Sequence, residues 1–259
     1  MRRIEPKWTC LAYVLPMIYL MDILLIGIGI KKTYFKLDYK GMLYLVGVLH
    51  FFEGILTFFF GGKESIPIIT YKGKKTAGGY EAVSRWLMPL LFFSIKGIYI
   101  PVLVEIIYAN DTFTTKPEVK AKKMGILIGT YGVILLLIKQ LINYKFMSLV
   151  GAMICMPLLH EIMFFLDRKM EEKSYIYINP DKGVRVMDVL GEHTLDIERG
   201  DILLKINGVP VDDEECFWRE INQCVRCTFE IESVLGEKKK VSCTAEEIKN
   251  AKLLFLPMY

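Results

Sequence analysis

The sequence has little net charge, which excludes a broad class of functions at the outset. Its 33 Lys and Arg residues are nearly balanced by 29 Asp and Glu residues, so that the formal net charge at pH 7 is only +4. The lysines are spread over the polar segments, and no basic stripe or arginine-rich arm is present. Because nucleic-acid surfaces need such clusters of positive charge, we expect no nucleic-acid partner.

Cysteines are also sparse, and their spacing argues against both a disulfide scaffold and a zinc ribbon. Six cysteines in 259 residues are too few for a small secreted disulfide fold. Cys224 and Cys227 have C-x-x-C spacing, but Cys216 and Cys243 do not form the second pair that a four-ligand zinc ribbon needs. Cys227 alternates with apolar residues in the manner of a strand, so we expect packed, reduced thiols.

Long apolar runs, by contrast, are abundant. Hydrophobic residues make up 53% of the chain and the mean hydropathy is +0.34, which is more apolar than an ordinary soluble domain. A membrane-spanning helix needs roughly 20 apolar residues. Five runs meet or approach that length, namely residues 8–30, 41–60, 86–108, 124–142 and 146–166. The first run has no small-residue cleavage site and is expected to be a retained anchor.

The number of spans determines which polar segments share a side of the membrane. Five spans place residues 61–85 on the membrane side opposite to the C-terminal part. Lys and Arg are slightly more numerous on the C-terminal side, so the positive-inside rule predicts a multi-pass membrane protein with a cytoplasmic C-terminal domain. Residues 61–86 form either a small hairpin at the membrane surface, as "IPIITY" and the later glycines suggest, or a plain polar loop.

The composition changes abruptly after Leu166, and this change predicts the domain boundaries. Residues 1–166 form a transmembrane helical domain, residues 167–173 a charged linker, and residues 174–259 a soluble domain. The predicted fold is therefore a multispan α-helical membrane bundle of about five spans followed by a small α+β domain.

Two stretches of the C-terminal domain carry a family resemblance. In "ERGDILLKINGVPVDD", residues 198–213, "ILLKI" predicts a buried strand and Asn207-Gly208 a tight turn at positive φ. This stretch resembles the G-D-x-I-x-x-I-N-G-x-P-V segment of bacterial PDZ domains. "NPDKGVRVMDVL", residues 179–190, resembles the carboxylate-binding loop and the edge strand of that family. A helix over residues 213–224 and a hairpin around Gly236 complete the expected PDZ domain.

The PDZ resemblance implies a groove that binds peptides by strand addition. Backbone N–H groups of the loop would receive a terminal carboxylate, the strand after it would pair with the peptide, and one face of the helix would supply the opposite wall. The loop lacks the animal-type G-L-G-F sequence, so free C-termini and internal segments are both open as ligands. The predicted peptide-binding residues are Lys182, Gly183, Val184, Arg185, Val186, Trp218, Ile221 and Val225.

Several ionisable residues lie inside the apolar runs, where a charged group is costly and indicates a functional or a structural polar contact. The predicted intramembrane polar cluster consists of His50, Glu53, Lys96, His160 and Glu161. His50 and Glu53 share one helix face, and at about 1.5 Å of rise per residue His50 and His160 lie within roughly 5 Å of each other in depth. A metal or proton site and a buried polar network that holds helices together are both compatible with this pattern.

His160-Glu161 also begins a pattern that resembles H-E-x-x-H, which in zinc proteases supplies two metal ligands and a general base. Phe164 occupies the position of the second histidine and cannot bind zinc. The pattern therefore argues against a protease, and we predict no catalytic residue, no metal and no cofactor.

Short stretches along most of the chain carry a second resemblance. They are "LHFFEG" in the second run, "GGYEAVSRWLMPL" at the third, "HE" in the last, and the ending "LLFLPMY". Together with the layout they resemble the MinJ-type membrane PDZ proteins of Gram-positive bacteria. The resemblance implies a non-enzymatic adaptor in the bacterial cell membrane, at the division site or cell pole, which bridges a coiled-coil protein of the DivIVA kind to the division inhibitor MinD.

The partners expected on this basis are membrane lipid, a protein or peptide ligand in the PDZ groove, and further copies of the chain in a homo-oligomer. Two alternatives stay open. One is a membrane enzyme or transporter that uses the His/Glu cluster, and the other is a regulatory subunit that presents substrates to a separate membrane protease.

Overall fold

The computed structural model describes residues 10–29, 37–72, 75–95, 98–172, 175–191 and 195–257, with the backbone alone at 72, 75, 90–95 and 98–102. The described helices are α1 (Leu11–Gly27), α2 (Tyr39–Phe60), α3 (Pro117–Asn143), α4 (Leu149–Met170), α5 (Glu214–Gln223) and α6 (Ala245–Ala251). The described strands are β1 (Ser65–Lys72), β2 (Lys75–Ile95), β3 (Ile98–Thr112), β4 (Tyr177–Ile178), β5 (Val184–Val189), β6 (Ile202–Ile206), β7 (Val209–Pro210), β8 (Arg226–Glu232), β9 (Lys238–Thr244) and β10 (Leu253–Phe255).

The chain divides into two compact units, and each is assembled from separate segments. We call the first the helical unit; it takes its described residues from Met1–Glu64, Val83–Ala109 and Glu118–Met170. We call the second the sheet unit, and it is built from Ser65–Ala82, Asn110–Pro117 and Glu171–Tyr259. The strands β2 and β3 contribute residues to both units.

Three helices of the helical unit, α2, α3 and α4, are long and apolar enough to cross a membrane. The helix α1 is apolar as well, but it has only 17 residues. Many large apolar side chains on these helices are exposed, as an environment of lipid would favour. Examples are Leu24, Phe59, Leu137 and Ile162. These helices correspond to four of the five predicted spans.

The predicted third span, residues 86–108, is wrong, because the described residues of this apolar run lie in the strands β2 and β3 rather than in a helix. The run is long enough for a span, but it is rich in β-branched residues and contains Pro89 and Pro101, which disfavour a helix interior. The prediction of a helical membrane bundle followed by one small α+β domain is therefore wrong as well. The fold combines its helices with two antiparallel sheets of four and six strands.

Glycines bring α2 and α3 into backbone contact. A Cβ atom on Gly54 would lie 2.4 Å from the backbone nitrogen of Gly129, and one on Gly132 would lie 2.4 Å from the backbone nitrogen of Phe51. Gly125 and Gly129 form a G-x-x-x-G pair of the kind that lets membrane helices approach closely. The resulting contact fixes the face of α2 that turns toward the other helices of this unit.

The smaller sheet of the sheet unit has the strand order β1-β2-β3, with β4 paired to β2. The register of β1 and β2 runs from Ser65 opposite Ala82 to Lys72 opposite Lys75, so the predicted hairpin at residues 61–86, and not a plain loop, is the observed structure. The strand β4 adds to β2 through Ile178 opposite Ala77.

The larger sheet has the order β10-β5-β6-β8-β9, with β7 paired to β6. The predicted strand "ILLKI" is confirmed as β6, and Asn207 and Gly208 adopt the positive φ values of 49° and 86° that the tight turn requires. The predicted helix and the hairpin around Gly236 are confirmed as α5 and as β8 with β9. The core between α5 and the sheet contains Phe217, Phe229 and Leu203, each fully buried.

One cysteine prediction needs correction. Cys224 and Cys227 form a disulfide, whereas packed thiols were expected. The alternation of Cys227 with apolar residues did identify a buried strand position, since Cys227 is 1% exposed. Cys224 directly follows the last residue of α5, which brings the two sulfur atoms together.

The glycine contact generates a prediction with a matched control. We expect Gly54→Ala to lower the free energy of unfolding by about 1–3 kcal/mol, because the added methyl group has no space against the backbone of α3. Gly129→Ala serves as the control, since its Cβ atom would meet only the Cα atom of Gly54 at an ordinary 3.8 Å. Thermal unfolding of both variants in detergent measures the difference, and equal stability of the two would contradict this packing.

Candidate functional site

Three side chains from three helices converge in the helical unit, and we call them the Cys–His cluster: Cys10, His50 and His160. The sulfur atom of Cys10 lies 3.5 Å from Nε2 of His50 and 3.8 Å from Nε2 of His160. The three potential ligand atoms all lie within 4.8 Å of one another. Both histidines are buried, with exposed fractions of 6% and 4%.

Local structure explains why each residue points inward. Cys10 caps the N-terminus of α1, and its sulfur accepts a hydrogen bond from the backbone N–H of Ala12 at 3.5 Å. His50 lies between Gly47 and Gly54, on the face of α2 that contacts α3. His160 lies on the buried face of α4, one turn before Phe164.

The second nitrogen of each histidine has a partner that determines the tautomer. Nδ1 of His50 lies 2.9 Å from the carbonyl oxygen of Val46, which can only accept, so Nδ1 carries the proton. Nδ1 of His160 lies 3.2 Å from the hydroxyl oxygen of Tyr13, and that hydroxyl donates its proton to Oε1 of Glu161 at 2.7 Å. In the neutral form, both histidines therefore direct an unprotonated Nε2 toward Cys10.

Aromatic rings and one further carboxylate surround the cluster. The ring of Tyr131 on α3 lies 5.0 Å from that of His50 and 5.2 Å from that of His160, and its hydroxyl donates to the carbonyl oxygen of Met156. Oε2 of Glu53 lies 3.9 Å from Nε2 of His50. The cluster is thus a polar site within apolar surroundings.

The structure brings together four of the five residues predicted for the intramembrane polar cluster, since the rings of His50 and His160 are 5.6 Å apart. The fifth, Lys96, lies outside the described residues. Cys10, Tyr13 and Tyr131 also belong to this site and were not predicted from the sequence. The sequence does contain a signal for Cys10. It is a thiol at the start of one apolar run, and two other apolar runs each contain a histidine that could contact it within the membrane.

The sheet unit contains the second candidate site, at the strand that was expected to be a free edge. The strand β5 has neighbours on both sides. The N–H of Val186 donates to Asp201 at 2.8 Å on the β6 side, whereas the carbonyl oxygen of Arg185 accepts from Leu256 at 2.9 Å on the β10 side. The edge therefore carries the chain's own C-terminal strand, which pairs antiparallel to β5.

The segment that follows α6 lies between β5 and α5. The ring of Phe255 in β10 is 4.8 Å from that of Phe217 and 6.4 Å from that of Trp218, both on α5. Leu253 and Phe255 are buried, whereas Leu254 between them is 40% exposed. This alternation is that of a strand with one face against a groove. We call the space between β5 and α5 the β5–α5 groove.

The residues predicted to bind peptide have different environments. Gly183 has a φ of +88°, and a Cβ atom there would lie 2.7 Å from the carbonyl oxygen of Leu203. The guanidinium of Arg185 is buried and donates to the carbonyl oxygens of Ile178 and Gly200, and burial lowers its pKa. Ile221 is fully buried in the core. Lys182 and Val225 are exposed, and Val225 points away from the core at 87% exposure.

Comparisons with known proteins give no name to either site. No family model matches the chain, and neither the curated proteins nor the solved structures contain a match. Function must therefore be argued from the geometry of the chain itself.

The helix α6 connects β9 to β10, so the stability of its N-terminal cap bears on the placement of β10. Thr244 caps α6: its Oγ1 accepts from the N–H of Glu247 at 3.2 Å, and Oε2 of Glu247 accepts from the N–H of Thr244 at 2.7 Å. We expect Thr244→Ala to lower the free energy of unfolding at pH 7 by about 1 kcal/mol, and Thr244→Ser to retain it. Chemical denaturation measures this, and an unchanged Thr244→Ala variant would contradict the role of the cap.

The pH dependence of this cap has a definite sign. The hydrogen bonds from the backbone and side chain of Thr244 lower the pKa of Glu247. The contribution of a carboxylate with a lowered folded pKa is complete above its unfolded pKa and is lost as the pH falls through the folded value. The stability difference between the wild type and Glu247→Gln should therefore shrink as the solution is acidified through this range.

Proposed function

We propose that this protein is a membrane-anchored, non-enzymatic adaptor that binds an extended segment of a partner protein in the β5–α5 groove. The single observation that carries the proposal is the way β10 lies on β5. A short apolar strand occupies the groove, with backbone hydrogen bonds on one side and an aromatic contact on the other. These are the two components of peptide recognition by strand addition.

The groove defines the chemistry of the segment that it accepts. Backbone pairing with β5 requires an extended chain but no particular side chain, whereas the wall of α5 favours an aromatic residue at the position of Phe255. Leu253 and Phe255 are buried and the residue between them is partly exposed. A partner segment with the pattern apolar, any residue, aromatic therefore fits, and it binds when β10 leaves the strand edge.

The pairing of β2 with β4 in the sheet unit supports an even number of membrane crossings between the end of α2 and the end of α4. The strand β2 follows α2 and pairs with β4, which follows α4. Strands of one sheet cannot be separated by a bilayer, so the ends of α2 and α4 face the same side. The five-span arrangement, which placed residues 61–85 opposite to the C-terminal part, does not satisfy this pairing.

The charges near the helix ends support a cytoplasmic location for the sheet unit. Its side carries the basic residues at the beginning of α3, among them Lys122 and Lys123, and those at the end of α4, Arg168 and Lys169. The opposite side carries fewer, such as Lys40 and Lys145. The positive-inside rule then orients the anchor with the β5–α5 groove toward the cytoplasm of a bacterial cell. The Cys224–Cys227 disulfide of the same unit would be subject to reduction there.

The resemblance to MinJ-type proteins adds candidate partners to the proposal. Division proteins of the MinD or DivIVA kind are candidates for the segment that enters the groove, and organisation of the division site or cell pole is the process to examine. Further copies of the same chain are also candidates, because each copy carries a segment with the required pattern.

The proposal is tested with a labelled peptide that has the sequence of residues 249–259 and with two variants of the full-length protein. Phe255→Asp removes the aromatic contact and should release β10, so that the added peptide binds at least 10-fold more tightly than it does to the wild type, since a lost contact of about 1.4 kcal/mol corresponds to tenfold in affinity. Leu254→Asp is the matched control, because Leu254 is 40% exposed, and should leave peptide binding unchanged. Fluorescence anisotropy in detergent measures both.

A folded Phe255→Asp protein that does not bind the peptide would contradict the proposal. Should that variant fail to fold, hydrogen exchange of the wild type provides the same test. An excess of unlabelled peptide is expected to increase exchange at the backbone N–H of Leu256, which donates to Arg185. Unchanged exchange at a saturating peptide concentration would count against the groove as a binding site.

A further inference from the structure

We propose that the Cys–His cluster is a metal site for a borderline-soft divalent cation of the zinc class, with Sγ of Cys10 and Nε2 of His50 and His160 as its ligands. This site is independent of the adaptor function, because its residues belong to the helical unit alone. It also differs from a zinc-protease site, which would need a histidine where Phe164 stands.

The distances within the cluster fit zinc. Zinc binds sulfur at about 2.3 Å and nitrogen at about 2.0–2.1 Å in tetrahedral geometry, which separates a sulfur from a nitrogen ligand by roughly 3.6 Å. The sulfur of Cys10 lies 3.5 Å and 3.8 Å from the two nitrogen atoms. Both sulfur–nitrogen separations therefore match those of a bound zinc ion, and the two nitrogen atoms, which lie within 4.8 Å of each other, would have to approach to about 3.4 Å.

Hydrogen bonding argues for a cation more directly. The carbonyl of Val46 and the hydroxyl of Tyr13 hold the protons of both histidines on Nδ1, so two unprotonated Nε2 atoms face one thiol. A divalent cation on the sulfur of Cys10 would accept a lone pair from each of these nitrogen atoms, and partners such as Val46 and Tyr13 on the second ring nitrogen are typical of metal-binding histidines.

The charges of the surrounding groups agree with this assignment. The carboxyl group of Glu53 lies beside the cluster, with Oε2 3.9 Å from Nε2 of His50, and would offset part of the charge of a divalent cation. On α3 the hydroxyl of Tyr131 donates to the carbonyl oxygen of Met156, and on α4 Glu161 accepts from Tyr13.

The ligand types select the metal. A thiolate and two imidazoles suit zinc and related transition metals, whereas magnesium and calcium prefer oxygen ligands. Because the three ligands come from α1, α2 and α4, the metal would hold the short helix α1 against the longer ones. Binding to the folded state alone raises thermal stability by mass action.

The test measures zinc on the full-length protein, purified in detergent, stripped with a chelator and reloaded. We expect one zinc per chain in the wild type and in Cys155→Ser, the matched control, whose free thiol lies on α4 outside the cluster. Cys10→Ser and His160→Ala should lose this zinc. Tyr13→Phe, which removes an outer partner, should weaken binding by about 10- to 100-fold.

Two measurements on the wild type keep the test decisive if a variant does not fold. Cobalt(II) bound by a thiolate gives a sulfur-to-metal charge-transfer band, which we expect on reloading with cobalt alone. Zinc should also slow alkylation of Cys10 but not of Cys155, as mapped by mass spectrometry. Wild-type protein that binds no zinc, shows no such band and leaves Cys10 equally reactive would overturn the proposal, as would undiminished zinc binding by folded Cys10→Ser.

Discussion

The backbone contact between α2 and α3 is the constraint on which the rest of the helical unit depends. Helices in lipid gain little from apolar attraction, so close approach through small residues and a few polar contacts must specify their packing. Gly54 against Gly129 supplies the close approach, and it turns His50 toward the face where Cys10 and His160 arrive. Tyr131, on the helix that α2 contacts, then closes the cluster with its ring and anchors α4 through Met156.

The sheet unit depends on a comparable constraint, namely that both edges of β5 are paired. The strand β6 and the turn after it form a conventional antiparallel arrangement, but the second edge is satisfied by a segment from the end of α6. An exposed strand edge is a template for pairing with another chain. The strand β10 covers this edge and also contacts α5, so it protects the groove from pairing with another chain. Its pattern of buried residues indicates which kind of partner segment we expect to replace it.

Parts of this architecture are predictable from the sequence because their signals are local. The strand β6, the turn at Asn207-Gly208 and the helix α5 follow from alternation, positive-φ residues and amphipathic spacing. The strands β2 and β3 were mistaken for a span because hydropathy measures length and polarity but not conformation. The three residues of β10 carry no periodic signal, and Cys10 joins the histidines only through packing of three helices. Both features depend on contacts between residues that are far apart in the chain, so local sequence patterns do not reveal them.

We propose that the anchor places the β5–α5 groove and the β1–β2 hairpin on one side of the membrane. Cysteines introduced separately at Ile66, Lys182 and Tyr144, all exposed, report this through a membrane-impermeant thiol reagent applied to intact cells and to lysed cells. We predict that Ile66→Cys and Lys182→Cys react only after lysis, whereas Tyr144→Cys, in the connection between α3 and α4, reacts in intact cells. Labelling of Ile66→Cys and Lys182→Cys from opposite sides would contradict the account.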